Sequence, residues 1–397
     1  MANIQIEYPS YINTAVCRIK NAGKEVFLVG GALRDKLLLK ECNDFDLATS
    51  AYPTETAEIF KDLHCIKTGM KHGTVTVIIE GKPVEITTFR KDGEYKDNRH
   101  PDDVSFTSDI KFDLSRRDFT INAMAYGHET GLIDLFGGEE DLKNGIIRAV
   151  GEPKKRFSED ALRIMRAFRF ASKLDFDIEN ETFLAAKECR EGLRAISAER
   201  KTVELEGILL GAGVKRALSL MREARIFEVI AEGITIDEEK FSKIGELPLD
   251  FATRLAFLYG ENEGLPDRLS EMKLSNAIKN KVLKLDRLTK EPLCADTDSD
   301  IRRLISRCQD DVFDLLEIKR ALGESVDGLE GKIKEIQKRG DCLTLRSLAI
   351  GGKDLLELGV KPSLIGEILE KLLSMVMDEP ALNKKQTLKA LAKEIIK

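Results

Sequence analysis

The sequence predicts an α+β protein, a small head of mixed strands and helices followed by a long all-helical remainder. Three observations carry that reading. Up to about Ala149, β-branched runs punctuated by glycine alternate with helical stretches. Past Ser158 no convincing strand pattern follows, and apolar residues recur at helical spacing in EDALRIMRAFRFASKL, ERKTVELEGILLG and VKRALSLMREARIFEVI. Breaks near Gly233, Leu247-Pro248, Gly264 to Pro266, Glu291-Pro292 and Gly351-Gly352 divide the remainder into helix-length pieces. At 397 residues the chain has room for two to four compact units.

Each element of the head has its own signal. A helix is expected over 12–22 and a strand over EVFLV (25–29), which ends at Gly30-Gly31, with a new helix starting near Ala32. NDFDLAT should be extended, and Pro53-Thr54 opens a helix over 54–63. GTVTVIIEG (73–81) and PVEITTF (83–89) are β-branched and split by a Gly-Lys turn, which predicts a hairpin. The charged segment 91–101 (KDGEYKDNRHP) has no apolar period and reads as a mobile surface loop. SRRDFTINAMAY (115–126) should run into an amphipathic helix behind an Asp118 cap, and GLIDLFGG (131–138) supplies another short strand.

Composition excludes several classes. No run of about 18 apolar residues occurs, so no transmembrane helix is expected. MANIQIEYPSYI lacks the basic flank and apolar core of a secretory signal. The seven cysteines are dispersed and form no CxxC pair, which fits free thiols in a reducing, cytoplasmic compartment. With four histidines and no cysteine pair, a zinc or iron site is not expected. The formal net charge of -6 argues against a general nucleic-acid binder. A basic strip and a cluster of carboxylates can still coexist on one acidic chain.

Local clusters carry the chemistry. In FLVGGALRDKLL a strand ends in two glycines and a helix begins, so backbone and free N–H groups can approach phosphate. Arg34 lies in that first turn, placed to reach a phosphate or a sugar hydroxyl. Asp44 and Asp46 flank Phe45 on an extended segment, and side chains two apart on a strand share one face. Two carboxylates beside a phosphate cradle make a Mg²⁺ site, with Glu85 on the neighbouring β-run as a third. A GG alone is an ordinary turn and a DxD alone a solvated one; their order behind an apolar strand gives the pair its meaning. In SEDALRIMRAFRFASKL (158–174), Ser158 is a good N-cap, with Glu159 and Asp160 suited to the first helical turn. Arg163, Arg166 and Arg169 recur every three residues, hemmed in by apolar neighbours, which points the stripe at a cleft. Taken alone, Arg116, Arg117 and Asp118 read as a capped helix start with exposed arginines.

Together LVGGALRD, DFD, RRDFTINAMA and EDALRIMRAFRF, with ISAERKTVELEGIL (196–209) after them, resemble the class II tRNA nucleotidyltransferase and bacterial poly(A) polymerase family of the DNA polymerase beta superfamily. The resemblance spans about residues 25 to 215; past about 250 the chain is placed by helical content only. It implies a five-stranded head over residues 1–149, a neck over 150–212, a body over 213–315 and a tail over 316–397 that binds tRNA. Asp44 and Asp46 match the DxD that holds two Mg²⁺ ions, with Glu85 fitting the third carboxylate. Gly31, Arg34 and Arg117 match nucleotide contacts, and Asp160, Arg163, Arg166 and Arg169 match the family's EDxxRxxRxxR stripe.

The implied activity is template-independent addition of CCA to the 3′ end of tRNA from CTP and ATP, with release of pyrophosphate. Cytosine and adenine both present an amino donor beside a ring-nitrogen acceptor. Asp160 can accept from the first and Arg163 donate to the second. Uracil and guanine reverse the pattern, at about 1–3 kcal/mol per unsatisfied buried group, or roughly 10²- to 10⁴-fold for two. The loop 91–101, with Arg90, Asp92, Tyr95 and Arg99 in and beside it, favours CCA or A addition over CC addition. A-only addition, poly(A) polymerisation and a catalytically inactive RNA-binding module are the alternatives. The helical region holds no histidine, so no HD phosphohydrolase activity is expected. No membrane association and no obligatory protein partner are implied.

Overall fold

The computed structural model describes residues 5–42, 44–92 and 104–396. The chain forms two compact units, Met1–Glu232 and Gly233–Lys397. The first opens with α1 (Ser10–Asn21), β1 (Val26–Val29), α2 (Gly30–Leu37), β2 (Asp46–Thr49), α3 (Pro53–Ile59), β3 (His64–Ile66), β4 (Thr74–Ile79) and β5 (Lys82–Thr88). A two-stranded ribbon of β6 (Arg90–Asp92) and β7 (Val104–Phe106) follows, then α4 (Ile110–Ser115), β8 (Met124–Gly127), β9 (Gly131–Asp134), α5 (Gly138–Asn144) and β10 (Ile146–Ile147). The unit ends in α6 (Pro153–Glu159), α7 (Leu162–Leu174), β11 (Asp177–Ile178), α8 (Asn180–Cys189), α9 (Ala198–Leu209), α10 (Val214–Glu223) and α11 (Phe227–Ile230).

The head sheet has seven strands in the order β3-β4-β5-β2-β1-β8-β9, not five. It is mixed: β2 and β5 run parallel, and the other neighbours are antiparallel. The two additional strands are β3, a three-residue edge, and β8. MAYG looked helical because a strand buried on both faces has no alternation to display. All four β8 residues are buried between β1 and β9. Arg117 and Asp118 therefore follow α4 rather than cap a helix, and Thr120–Asn122 form a single 3₁₀ turn. A core of Phe27, Val29, Ala48, Phe89, Leu114 and Ala125 lies against one face of the sheet.

A second correction concerns Asp160. Pro153, pre-set for the first turn of a helix, starts α6 early enough for Ser158 and Glu159 to close it. Asp160 is then extended (φ -147°, ψ 105°) in the break before α7. The region past Ser158 also holds one two-residue strand, β11, paired in parallel with β10.

The second unit is helical throughout its described residues: α12 (Glu238–Lys243), α13 (Phe251–Tyr259), α14 (Leu265–Glu271), α15 (Asn276–Lys290) and α16 (Asp298–Cys308), then α17 (Val312–Ala321), α18 (Leu329–Arg339), α19 (Gly352–Glu357), α20 (Ile365–Asp378) and α21 (Lys385–Ile396). Asp250, Ser275 and Thr297 accept N–H bonds at the starts of α13, α15 and α16. Buried Arg302 on α16 bonds Asp341 and the Met377 carbonyl, tying three segments together. Among the described residues no helix is long and apolar enough to cross a membrane.

Candidate active site

One cleft of about 640 Å³ in the first unit gathers most of the residues singled out in the sequence. Its head wall begins where β1 ends. Gly30 has φ +67°, a conformation that favours glycine, and a Cβ there would lie 3.3 Å from Arg117 Nη1 and 3.6 Å from Asp46 Oδ2. The register pairs Asp46 on β2 with Glu85 on β5, and directly paired side chains share a face. Burial first, then the charges of Asp44 and Glu85, push the Asp46 carboxyl above the usual carboxylate range, with Arg117 offsetting part of the rise. Asp44 itself is exposed just ahead of β2 and does not line the cleft. The buried Phe45 between the two aspartates packs edge-on against Tyr11.

Behind these carboxylates the cations are fixed. Arg117 donates to Asp113 Oδ2 (3.0 Å) and to the Asn122 carbonyl (3.2 Å). Burial would raise the Asp113 carboxyl, but Arg116 and Arg117 together hold it below the usual range. Arg34, 3% exposed, donates to Asn122 Oδ1 at 2.8 Å and to Asp35 at 2.7 Å. It forms the floor of the cleft rather than a free arm.

The neck wall comes from the α6–α7 break and from α7. Asp160 Oδ1 accepts the Leu162 N–H (3.0 Å), and Oδ2 accepts from Arg200 Nη2 on α9 (2.8 Å). Arg163 is held by Glu159 at 2.7 Å and by the carbonyls of Arg156 and Arg116. Arg166 donates twice to Asp118 Oδ2, at 2.8 and 2.6 Å. Burial opposes ionisation of Asp118, yet Arg166 and the hydrogen bonds around it keep its carboxyl below the ordinary range. Arg169 Nε lies 2.6 Å from Glu204 Oε2, an ion contact whose angles fall short of a hydrogen bond. Nine cationic side chains line the cleft against four acidic ones, a balance suited to a polyanion.

Comparison with known proteins identifies the family of the chain. Residues 26–148 match the family model described as poly A polymerase head domain. Residues 175–237 match the probable RNA and SrmB- binding site of polymerase A, and 252–392 match tRNA nucleotidyltransferase domain 2, putative. The chain is 38% identical, over 96% of its length and 95% of the relative's, to the CCA-adding enzyme of Limosilactobacillus fermentum. It belongs to the CCA-adding enzyme family. The crystal structure of the Bacillus stearothermophilus CCA-adding enzyme in complex with CTP superposes with a TM-score of 0.83 at 30% identity, covering 98% of each chain. A tRNA nucleotidyltransferase complexed with a primer tRNA and an incoming ATP analogue superposes at 0.66 and 26% identity, over 82% of this chain and 99% of that one.

Of the residues chosen from sequence, the cleft brings together Gly31, Arg34, Asp46, Glu85, Arg117, Asp160, Arg163, Arg166 and Arg169. Asp44 stands outside the lining, close enough to act on Asp46 electrostatically. The loop over 91–101, with Tyr95 and Arg99, lies outside the described residues apart from its first two positions. Arg90, at its entrance, lines the cleft. Sequence reasoning missed Asn122, Phe170 and Arg200. Arg200 sits inside the ISAERKTVELEGIL stretch, so its neighbourhood was visible although its pairing with a residue 40 positions away was not. The region past 250, left to helical content, carries a family signal of its own over 252–392.

Proposed function

We propose that the protein restores the CCA end of tRNA, adding nucleotides from CTP and ATP to the 3′-hydroxyl without a nucleic-acid template and releasing pyrophosphate. One observation carries this most directly. A single cleft joins the Asp46–Glu85 carboxylates to the Asp160–Arg163 pair, in a chain whose family includes a member seen with CTP bound. The reacting end and the base-reading end thus lie in one continuous, strongly cationic space.

The carboxylates suit a divalent cation. Asp46 is raised by burial and by two neighbouring negative charges, a repulsion that a hard cation would relieve. Among the described residues no three carboxylate, histidine or cysteine groups converge tightly enough to hold an ion unaided. Asp44 and Asp46, with Glu85 beside them, would therefore hold Mg²⁺ together with oxygens of the substrates. Ions bound there would lower the pKa of the RNA 3′-hydroxyl and neutralise the departing pyrophosphate. Arg117 and the Gly30–Gly31 backbone receive the triphosphate at the start of α2. Among the described residues Asp160 uses two of its roughly four acceptor positions, leaving capacity for a base amino group. Arg163 engages three of its five N–H donors among the described residues, leaving two for a ring nitrogen.

The proposed division is into a head (1–149), neck (150–212), body (213–315) and tail (316–397); the end of the head-domain match at 148 supports its first boundary, while the matches over 175–237 and 252–392 run across the other two. The tail would grip tRNA, and the protein would work in the cytoplasm. The test is incubation with labelled CTP or ATP, Mg²⁺ and tRNA transcripts lacking CCA, CA or only the final A. Extension of all three that stops at CCA is the expected result. Growth from the CC-ended transcript alone would establish A addition, and unlimited adenylation a poly(A) polymerase.

A further inference from the structure

Phe170 is the centre of an unusual cluster. It is 5% exposed, lines the cleft, and has three guanidiniums around its ring: Arg169 at 4.7 Å from the centroid, Arg34 at 5.2 Å and Arg166 at 5.4 Å. Behind it Phe119, fully buried, meets the ring edge-on at 5.7 Å and anchors it. The arginines come from two different elements, Arg34 from α2 of the head and Arg166 and Arg169 from α7 of the neck. Three like charges drawn together in a half-buried space repel one another. Carboxylates accompany each of them: Asp35 pairs with Arg34, Asp118 with Arg166, and Glu204 with Arg169 and, at 4.0 Å, with Arg166. Glu204 thus links the two α7 arginines, but no carboxylate among the described residues is paired with all three, and none of these pairs brings Arg34 of the head to the same point. Among the described residues the aromatic ring is a group that all three share. Its negative face attracts cations, more strongly where water is excluded.

We infer that Phe170 is a positioning residue whose ring gathers Arg34, Arg166 and Arg169 into one phosphate-binding face. It makes no hydrogen bond to substrate; it acts through the three arginines by setting where their charge converges. This rests on the reading of the cleft as a nucleotide site. The phosphate could belong to the incoming triphosphate or to the RNA 3′ end, since both present the same chemistry, and the experiment separates them.

The decisive measurement replaces Phe170 in the full chain with mono-, di- and trifluorinated phenylalanine. Fluorination leaves ring size nearly unchanged while weakening the π face stepwise. Binding of CTP with Mg²⁺ and binding of tRNA lacking the terminal A are titrated separately for each variant. The expected result is a stepwise loss of affinity in at least one titration, about tenfold by the trifluoro form, with CTP-over-UTP preference and melting temperature held. A slope with CTP alone assigns the face to the triphosphate, and a slope with tRNA alone assigns it to RNA. Flat affinities in both titrations would overturn the inference. Phe170→Leu should reproduce the trifluoro loss and Phe170→Tyr should retain wild-type binding; equal losses in both variants would mean that packing, not the ring face, is responsible. Arg117→Ala in the wild-type background checks the underlying reading separately. If it leaves CTP binding unchanged, the nucleotide-site reading fails, whatever the fluorination series shows.

Discussion

The two walls of the cleft are built on opposite electrostatic terms. On the head wall, Asp46 stands half-buried beside Asp44 and Glu85, and its carboxyl is raised by burial first and then by those two negative charges, which Arg117 offsets only in part. On the neck wall four of the five charges that line the cleft from the α6–α7 break and α7 have a named partner, Asp160 with Arg200, Arg163 with Glu159, Arg166 with Asp118 and Arg169 with Glu204, and the fifth, Lys173, is exposed near the end of α7. One wall keeps negative charge that its neighbours offset only in part; most charges of the other are paired within the protein. On the proposed function, reaction and recognition would ask different things of the same fold, partly opposed charge in one place and paired charge in the other.

The largest effects should come from the head wall. Asp46→Ala should cut nucleotide incorporation by about 10³-fold or more, as expected when a metal ligand of phosphoryl transfer is lost. Asp44→Ala should follow it, with the fold intact by circular dichroism. Chelation by EDTA should abolish incorporation reversibly, with Mg²⁺ restoring it. Asp46→Asn separates the two kinds of wall, because removing a repelled charge should leave the melting temperature equal or higher while activity is lost. A marked fall in melting temperature for Asp46→Asn would show that this wall is compensated after all.

On the paired wall Asp160→Ala should relax choice more than it slows transfer. The ratio of CTP to UTP incorporation should fall by roughly 10²-fold, the loss of one unsatisfied-group penalty together with its orienting contact. Arg200→Met should lower the same ratio less, roughly 3- to 10-fold, because the Leu162 N–H still holds one oxygen of Asp160. Unchanged discrimination in Arg200→Met would mean that the Asp160–Arg200 pair is merely structural.

How much of this was legible in the sequence follows from the range of each interaction. The Gly30-Gly31 turn and the β4–β5 hairpin are local, and they stand where their residues put them, whereas in the DFD segment β2 begins only at Asp46 and Asp44 is exposed outside the cleft lining. β8 was read as helical because its four residues are buried on both faces, so no period marks it. Asp160 was placed in a helical turn because acidic residues suit helix starts; Pro153 moved the start upstream and left Asp160 in the break. Arg200 and Phe170 escaped notice because their roles lie in partners far along the chain. Arg34 and Phe170 touch across more than a hundred residues, which no spacing rule in one sequence exposes.

The smallest effect is one of stability, and it tests whether the paired wall is held by ionised pairs. Asp118 and Asp113 both have carboxyls below the ordinary range in the folded protein: burial opposes ionisation, and Arg166 for one and Arg116 with Arg117 for the other overcome it. A group whose folded pKa is depressed contributes stability in full above its unfolded value, about 3.9 for aspartate, and loses it as pH falls through the folded value. Melting temperature should therefore decline on the acid side of about pH 4, in part through these two residues. Asp118→Asn should cost about 1–3 kcal/mol at neutral pH, since Arg166 keeps its desolvation but loses its counter-charge. Because the asparagine cannot titrate, the difference between wild type and variant should shrink as pH falls toward 3. A difference that stays constant from pH 7 to pH 3 would mean that Asp118 holds Arg166 by shape rather than by charge.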